Sequence, residues 1–353
     1  MRIKQWMAVV SLATAIAPMT AIAATEGAEK SPRILGGGYE PIADTPWQVL
    51  IESSSGGETY ICGGVVVSEN YILTAAHCMD KDPDDNNGAF TPYLPSEVII
   101  FAGVEDRNNL SGNGITASNV TIHPNYKDFN LTYDIALVRL SSSLPNNAKP
   151  VVILPPSQQS VLESEFATPT LDNLFVSGWG RTSNSVPGDP NTGQSSRYLK
   201  STILTGEPDQ FCGRIGSVDS GNYLCATSSE NTGACNGDSG GGLIWRDPSH
   251  SADSDMGYRV VGVVSWGSVT CGVPNDEDVF AQVSSYYSWI DSTMGGYTPP
   301  NSVFTADIFD TSDAYNPVPD NVVSGSGGGG GYISLFALLF LGFNIVSRRR
   351  FLS

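Results

Sequence analysis

Gly237-Asp238-Ser239-Gly240-Gly241 is the stretch of this chain best suited to chemistry. Glycines around a serine let an incoming backbone come close, and amide N–H groups can converge there on one developing negative charge. The run also fits G-x-S-x-G, the sharp turn that presents a nucleophile in α/β-hydrolases; a glycine-rich turn with a bystander serine would look the same. A serine hydroxyl attacks poorly without a base to take its proton, and the chain has three histidines. His77 follows an apolar run in Thr74-Ala75-Ala76-His77-Cys78, His123 precedes Pro124 in a polar loop, and His250 lies in the polar stretch Asp247–Asp255. An α/β-hydrolase needs its histidine after the serine. That order leaves only His250, in a loop, so His77 is the better base. A base in turn needs a carboxylate to hold its tautomer. Asp134, at the head of Ile135-Ala136-Leu137, is the candidate, with a cap at a strand entry as the alternative.

These residues must be positioned by short apolar segments, because their spacing is irregular, with no internal repeat and no alternating βα rhythm. Strand candidates are Trp47–Glu52, Ile61–Val67, Tyr71–Thr74, Val98–Phe101, Ala136–Leu140, Leu174–Gly178, Gly242–Trp245, Val260–Trp266 and Val279–Val283. Many are rich in Val, Ile and aromatics and are separated by Gly, Pro, Asn and Ser. The pattern predicts an all-β barrel or sandwich. One helix is expected near Ser284–Met294, stopped by Gly295-Gly296. Six cysteines allow many pairings, and no two have the C-x2-C spacing that a zinc site would suggest.

Five motifs now stand in one order: Thr74–Cys78 (TAAHC), Asp134–Leu137 (DIAL), Gly178-Trp179-Gly180, Gly237–Gly241 (GDSGG) and Ser265-Trp266-Gly267 (SWG). Together they resemble the trypsin/chymotrypsin family of serine proteases, over roughly Ile34 to Met294. The resemblance implies two six-stranded antiparallel β-barrels with the site between them and a C-terminal helix. It implies Ser239 as nucleophile, His77 as general base and then acid, and Asp134 as the residue that orients His77. The N–H groups of Gly237 and Ser239 would form the oxyanion hole. Ser265 would support Asp134, and Ser265 to Gly267 would pair with substrate backbone. The implied disulfides are Cys62–Cys78, Cys212–Cys225 and Cys235–Cys271. Arg33-Ile34 would be the activation bond: cutting before Ile34 creates an amine that inserts beside Asp238. Leu35, where the family usually has Val, is a mild departure.

The implied specificity pocket departs from trypsin. Trypsin has Asp six residues before the nucleophile; here that position is Gly233, followed by Ala234. On the opposite wall, trypsin has Gly before the Val-Tyr pair that follows the pocket cysteine. Here the ungapped equivalent is Asp278, before Val279-Phe280. Some crustacean collagenolytic serine proteases show the same exchange and accept varied side chains. The expectation is therefore cleavage after Arg or Lys, with tolerance for large apolar residues. If Asp278 instead points outward with Asp276 and Glu277, the pocket is neutral and chymotrypsin- or elastase-like. A catalytically silent binding module on the same fold is the other alternative, although such relatives lose a triad member. Glu105-Asp106-Arg107-Asn108-Asn109 resembles the start of the family's calcium loop, but the second acid is missing around Ser111–Gly114. No metal or cofactor is expected.

Composition and the two ends set the context. Eighteen basic residues against 36 acidic ones, a net charge of −18, nearly exclude a nucleic-acid partner. Arg2 and Lys4, an apolar run from Met7 to Ala17, and Ala21-Ile22-Ala23 read as a signal peptide over 1–23, with an uncleaved anchor as the alternative. Residues 24–33 would then be an activation propeptide, 34–296 the protease domain, and 297–331 an acidic, then Gly-rich linker with little structure. Residues 332–353 combine an apolar stretch, Tyr332 to Val346, with Arg348-Arg349-Arg350. After the glycines of Ser324–Gly331, this resembles the GlyGly-CTERM sorting tail of exported Gram-negative bacterial proteins; an ordinary short membrane anchor is the bland alternative. Such a tail implies a transient inner-membrane anchor and an extracellular or cell-surface destination. Expected partners are protein or peptide substrates, an activating protease and the secretion and tail-processing machinery, for a monomeric enzyme.

Overall fold

The computed structural model describes residue 34 and residues 37–81, 90–167, 172–184, 193–212, 220–268 and 270–310. The expected signal peptide, Arg33, Leu35, the Gly-rich segment and the tail lie outside the described residues.

After a short strand, β1 (Gly38–Tyr39), six strands form the first barrel: β2 (Gln48–Ser55), β3 (Glu58–Ser68), β4 (Tyr71–Thr74), β5 (Val98–Ala102), β6 (Gly114–Ile122) and β7 (Ala136–Leu140). They close in the order β2-β3-β4-β7-β6-β5. Then come β8 (Val152–Ile153), β9 (Asp172–Gly178), β10 (Lys200–Glu207), β11 (Tyr223–Thr227), β12 (Gly242–Arg246), β13 (Tyr258–Trp266) and β14 (Asp278–Gln282). The order β10-β11-β14-β13-β12-β9, with β9 pairing back onto β10, closes a second antiparallel barrel. The expected architecture of two six-stranded antiparallel barrels is the observed one. Closure removes the free sheet edges on which other chains could pair. Val49, Ile51, Val66, Ile72 and Val138 share one face of the first barrel's strands and fill it. Val176, Leu204, Leu224, Leu243, Val261 and Phe280 fill the second.

The barrels meet backbone to backbone. Gly63 on β3 donates its N–H to Ser239 O at 2.7 Å. A Cβ on Gly63 would fall 2.9 Å from the Gly241 backbone, and one on Gly240 would fall 2.2 Å from Thr74 Oγ1. Only glycines allow this approach, and it fixes the serine loop against the first barrel. Ser177 Oγ on β9 also donates to Gln48 Oε1 on β2 at 3.1 Å.

Helix α1 (Gln159–Phe166), which the pattern missed, buries Leu162 and Phe166. Helix α2 (Tyr287–Met294) follows a 3-10 turn over Val283–Tyr286. It stops at Gly295, in the left-handed region with φ 76°, where the expected glycine stop stands. The linker expected from Tyr297 is corrected over 297–310, which pack as a strap. Phe304 lies edge-on to Trp47 and stacks on Tyr258, and Phe309 meets Phe175 and Tyr258. Arg246 ion-pairs with Asp307, and Tyr258 Oη donates to Ala306 O at 2.9 Å. Polar average composition concealed a few well-spaced apolar anchors, and burying these offsets the cost of ordering the segment.

Candidate active site

His77 opens a 3-10 turn (His77–Met79) directly after β4. The Cys62–Cys78 disulfide ties that turn to β3, and Cys212–Cys225 and Cys235–Cys271 are the other two disulfides. The pairing expected for all six cysteines is the one observed. His77 is held to Asp134 twice: its backbone N–H donates to Oδ1 at 2.8 Å, and Nδ1 lies 2.7 Å from Oδ2. Leu131 and Tyr133 both have left-handed φ, 52° and 56°, in the turn that delivers Asp134 to the head of β7. Two non-glycine residues held there are strained, and the Leu131 carbonyl is anchored by Tyr223 Oη at 3.2 Å.

Asp134 is fully buried. Burial alone would raise its pKa; the neighbouring His77 charge and hydrogen bonds from His77 and Ser265 outweigh it and hold the carboxyl below its ordinary range. The Ser265 hydroxyl reaches Oδ2 because the β13–β14 register slips between Val264 and Trp266, leaving Ser265 as the extra residue of a bulge. A bulge re-aims a side chain that a regular ladder would send elsewhere.

Ser239 lies in the loop between Cys235 and β12 and is partly exposed. Asp238 N donates to Cys235 O and Gly241 N to Asp238 O, each at 2.9 Å, while Gly240 N donates to Val264 O at 2.8 Å. Gly237 has φ 99°, which a side chain would strain. Among the described residues, no acceptor takes the N–H of Gly237 or Ser239. His77, Gly237 and Ser239 line one cleft of about 420 Å³. The other two histidines are elsewhere. His123 stacks on Tyr133 at 5.0 Å, its pKa lowered by burial, and His250 Nδ1 lies 2.8 Å from Asp253 on a loop.

Beneath the serine loop, Asp238 is fully buried, and Gly180 N–H and Cys235 N–H donate to its two oxygens at 2.7 and 3.0 Å. A Cβ on Gly178 or Gly180 would strike this carboxylate, at 2.1 and 2.3 Å. Among the described residues it has no cation. Desolvation raises its pKa to about 7 against the two hydrogen bonds. Ile34 is also buried, in the apolar core of the second barrel.

Asp278, at the start of β14, turns between two walls. Its Oδ2 accepts from Ala234 N–H at 2.8 Å. A Cβ on Gly233 would lie 2.7 Å from Oδ2, and one on Gly267 would lie 2.7 Å from Oδ1. Trp266 borders the same region on β13. In the stretch compared with a calcium loop, Asp106 is engaged by Arg197 Nε and Nη2 at 2.8 and 2.7 Å, and Glu105 Oε2 accepts from Ile42 N–H at 3.2 Å. Cys62, Cys78 and His77 place sulfur and nitrogen within one metal-sized space, but both sulfurs are spent in the disulfide. Residue reasoning missed Tyr60, Ile61, Arg181 and Asn236 along the cleft. For Arg181 a signal was present: a scarce cation directly after Gly178-Trp179-Gly180.

Comparison with known proteins decides the lineage of this arrangement. Residues 34–290 match the family model described as Trypsin. The chain belongs to the trypsin family of serine proteases. The chain is 30% identical to serine protease SP24D of Anopheles gambiae over 267 residues, 75% of this chain and 82% of that protein. It is 28% identical to human chymotrypsin-like elastase family member 1, covering 75% and 94% of the two chains. Human transmembrane protease serine 5 is 32% identical over 74% of this chain and 51% of its own length. These trypsin-family relatives are animal proteins. Among the described residues of this member, no helix is long and apolar enough to cross a membrane.

Proposed function

We propose that this chain is an exported serine endopeptidase, made as a precursor, that cuts after Arg or Lys and tolerates large apolar residues. Ser239 Oγ attacks the scissile carbonyl carbon while His77 takes the hydroxyl proton. Asp134 holds His77 in the required tautomer and stabilises the imidazolium that forms. The oxyanion is met by the N–H groups of Gly237 and Ser239. His77 then gives its proton to the leaving amine as the C–N bond breaks, and water, deprotonated by His77, releases the acyl group from Ser239.

The observation that carries the specificity is the Asp278 carboxylate, which lies between Gly233 and Gly267 instead of turning out beside Asp276 and Glu277. A carboxylate between glycine walls favours a guanidinium or ammonium; it stands where a side chain on Gly233 would fall, so the tolerance for large apolar residues rests on the sequence resemblance. Peptide-library profiling of Asp278→Gly tests this. Truncating one member of a desolvated charge pair costs roughly 2–5 kcal/mol, so turnover of Arg substrates should fall at least about 30-fold while large apolar substrates are spared. An unchanged Arg preference overturns the assignment.

Precursor control belongs to the same proposal. The buried Asp238, with no cation among the described residues, and the buried Ile34 support it: a cut after Arg33 would supply a positive charge as the Ile34 amine. Residues 1–23 as signal peptide and 332–353 as a sorting tail, processed near Gly327–Gly331, complete the reading on their sequence alone. C-terminal mass analysis of the exported protein tests the tail, and an intact Ser353 would count against it.

A further inference from the structure

Asp278 and its glycine walls are not among the described residues that line the cleft above Ser239. The cleft is lined by Tyr60, Ile61, Arg181 and Asn236 together with the catalytic groups, whereas Gly233, Ala234, Gly267 and Asp278 do not border it. In the protease reading, on which this inference rests, the residue before the cut bond fills the Asp278 pocket. A substrate running past Ser239 therefore has the cleft left for the residues after the cut bond.

Arg181 gives that space a charge. Its backbone is fixed, since its N–H donates to Asn236 O at 2.9 Å and the residue bridges Ser195. Its guanidinium makes no hydrogen bond or ion pair among the described residues. Arg197, Arg246 and Arg259 are each bound to a carboxylate, Asp106, Asp307 and Asp255, and Arg107 and Arg139, which have no ion pair among the described residues, do not line the cleft. In a chain where acidic residues outnumber basic ones two to one, an arginine without an internal carboxylate, placed in the catalytic cleft, is available to a substrate. Asp80, the one carboxylate among the described residues lining the cleft, is on the first-barrel side, and Asp238 is fully buried beneath the serine loop. Asp80 is buried and accepts from Thr91 N–H at 2.9 Å, and Glu58 accepts from Tyr60 Oη at 3.0 Å. The cation belongs to the second-barrel wall, which also carries Gly237 and Asn236.

We propose that Arg181 is a specificity residue for the leaving-group half of the substrate and favours Asp or Glu at the first or second position after the cut bond. Planar, bidentate pairing with a carboxylate is what a guanidinium does best.

The test uses the enzyme cut after Arg33. One set of peptides keeps Arg before the cut bond and varies only Asp, Gln or Lys at the two following positions. A nitroanilide with the same acyl half carries nothing beyond the bond, and each kcat/KM is divided by that of the nitroanilide for the same enzyme. A partly solvated pair should give Asp over Lys by about fivefold, falling to near unity in Arg181→Gln and inverting in Arg181→Glu. Nitroanilide turnover with equal normalised rates for Asp and Lys overturns the inference and leaves the protease reading standing. A preference that survives in Arg181→Gln also overturns it. No turnover of any substrate defeats the protease reading and this inference together.

Discussion

Asp134 and Asp238 are both fully buried, yet their surroundings shift their pKa values in opposite directions. Asp134 meets His77 through two hydrogen bonds and Ser265 through a third, and its pKa is lowered despite the cost of burial. Asp238 meets two backbone N–H groups and no described cation, and its pKa is raised to about 7. Desolvation is the largest influence on each, so what separates them is the partner. In the proposed mechanism the first site is complete as it stands; the second, among the described residues, is short of one positive charge.

The largest effect should come from removing the charge at the complete site. Asp134→Asn keeps the shape but no longer selects the His77 tautomer that can accept the Ser239 proton. The expected loss is about 10⁴-fold in kcat, read on the nitroanilide with the fold checked by circular dichroism. Retention of more than a tenth of normal turnover would show that the Asp134 charge does not act through His77. The next effect tests the incomplete site. In the chain cut after Arg33, Asp238→Asn leaves the Ile34 amine as a buried, unpaired cation. Losing one partner of such a pair costs roughly 3–5 kcal/mol, so activity should fall about 10²- to 10³-fold. Full activity of the cut variant would mean that the new amine does not pair with Asp238.

Much of the complete site was legible in the sequence because its chemistry uses rare residues in short runs. Three histidines leave few bases, and Thr74–Cys78 and Gly237–Gly241 carry their own context. Strands rich in Val and Ile, such as β4 and β7, were found with their observed bounds. β6 and β10 were missed, because GITASNVTI and KSTILTGE intersperse small polar residues, bury only a few positions fully and never form a long apolar run. The bulge that turns Ser265 toward Asp134 is a property of register between two strands, which one strand's residues do not specify. The strap over 297–310 was missed for a related reason. Phe304, Ile308 and Phe309 match a groove made by Trp47, Phe175 and Tyr258, residues that are distant in sequence.

The smallest effect separates the two carboxylates by pH in the uncut chain, with Ser239→Ala to prevent self-digestion. The folded pKa of Asp238, about 7, exceeds its ordinary value of 3.8, so the folded chain binds more protons than the unfolded one between those limits. Stability should therefore fall as pH rises from about 4 to about 7 and level off above it. Glu40, raised by desolvation from 4.5 to about 7 despite its hydrogen bond from Ser201, adds to the same slope. Asp134 acts in the other direction and in another window: its stabilisation is present above 3.8 and is lost only as pH falls through its lowered pKa. The melting temperature of the uncut chain should drop by on the order of 5 °C between pH 5 and pH 8. Asp238→Asn should remove part of that drop and leave the share due to Glu40. Cutting after Arg33 should remove Asp238's share as well, because an ammonium beside the carboxylate favours its charged form. A drop of the same size in the uncut parent, the Asp238→Asn chain and the cut chain would show that Asp238 does not carry the proton assigned to it.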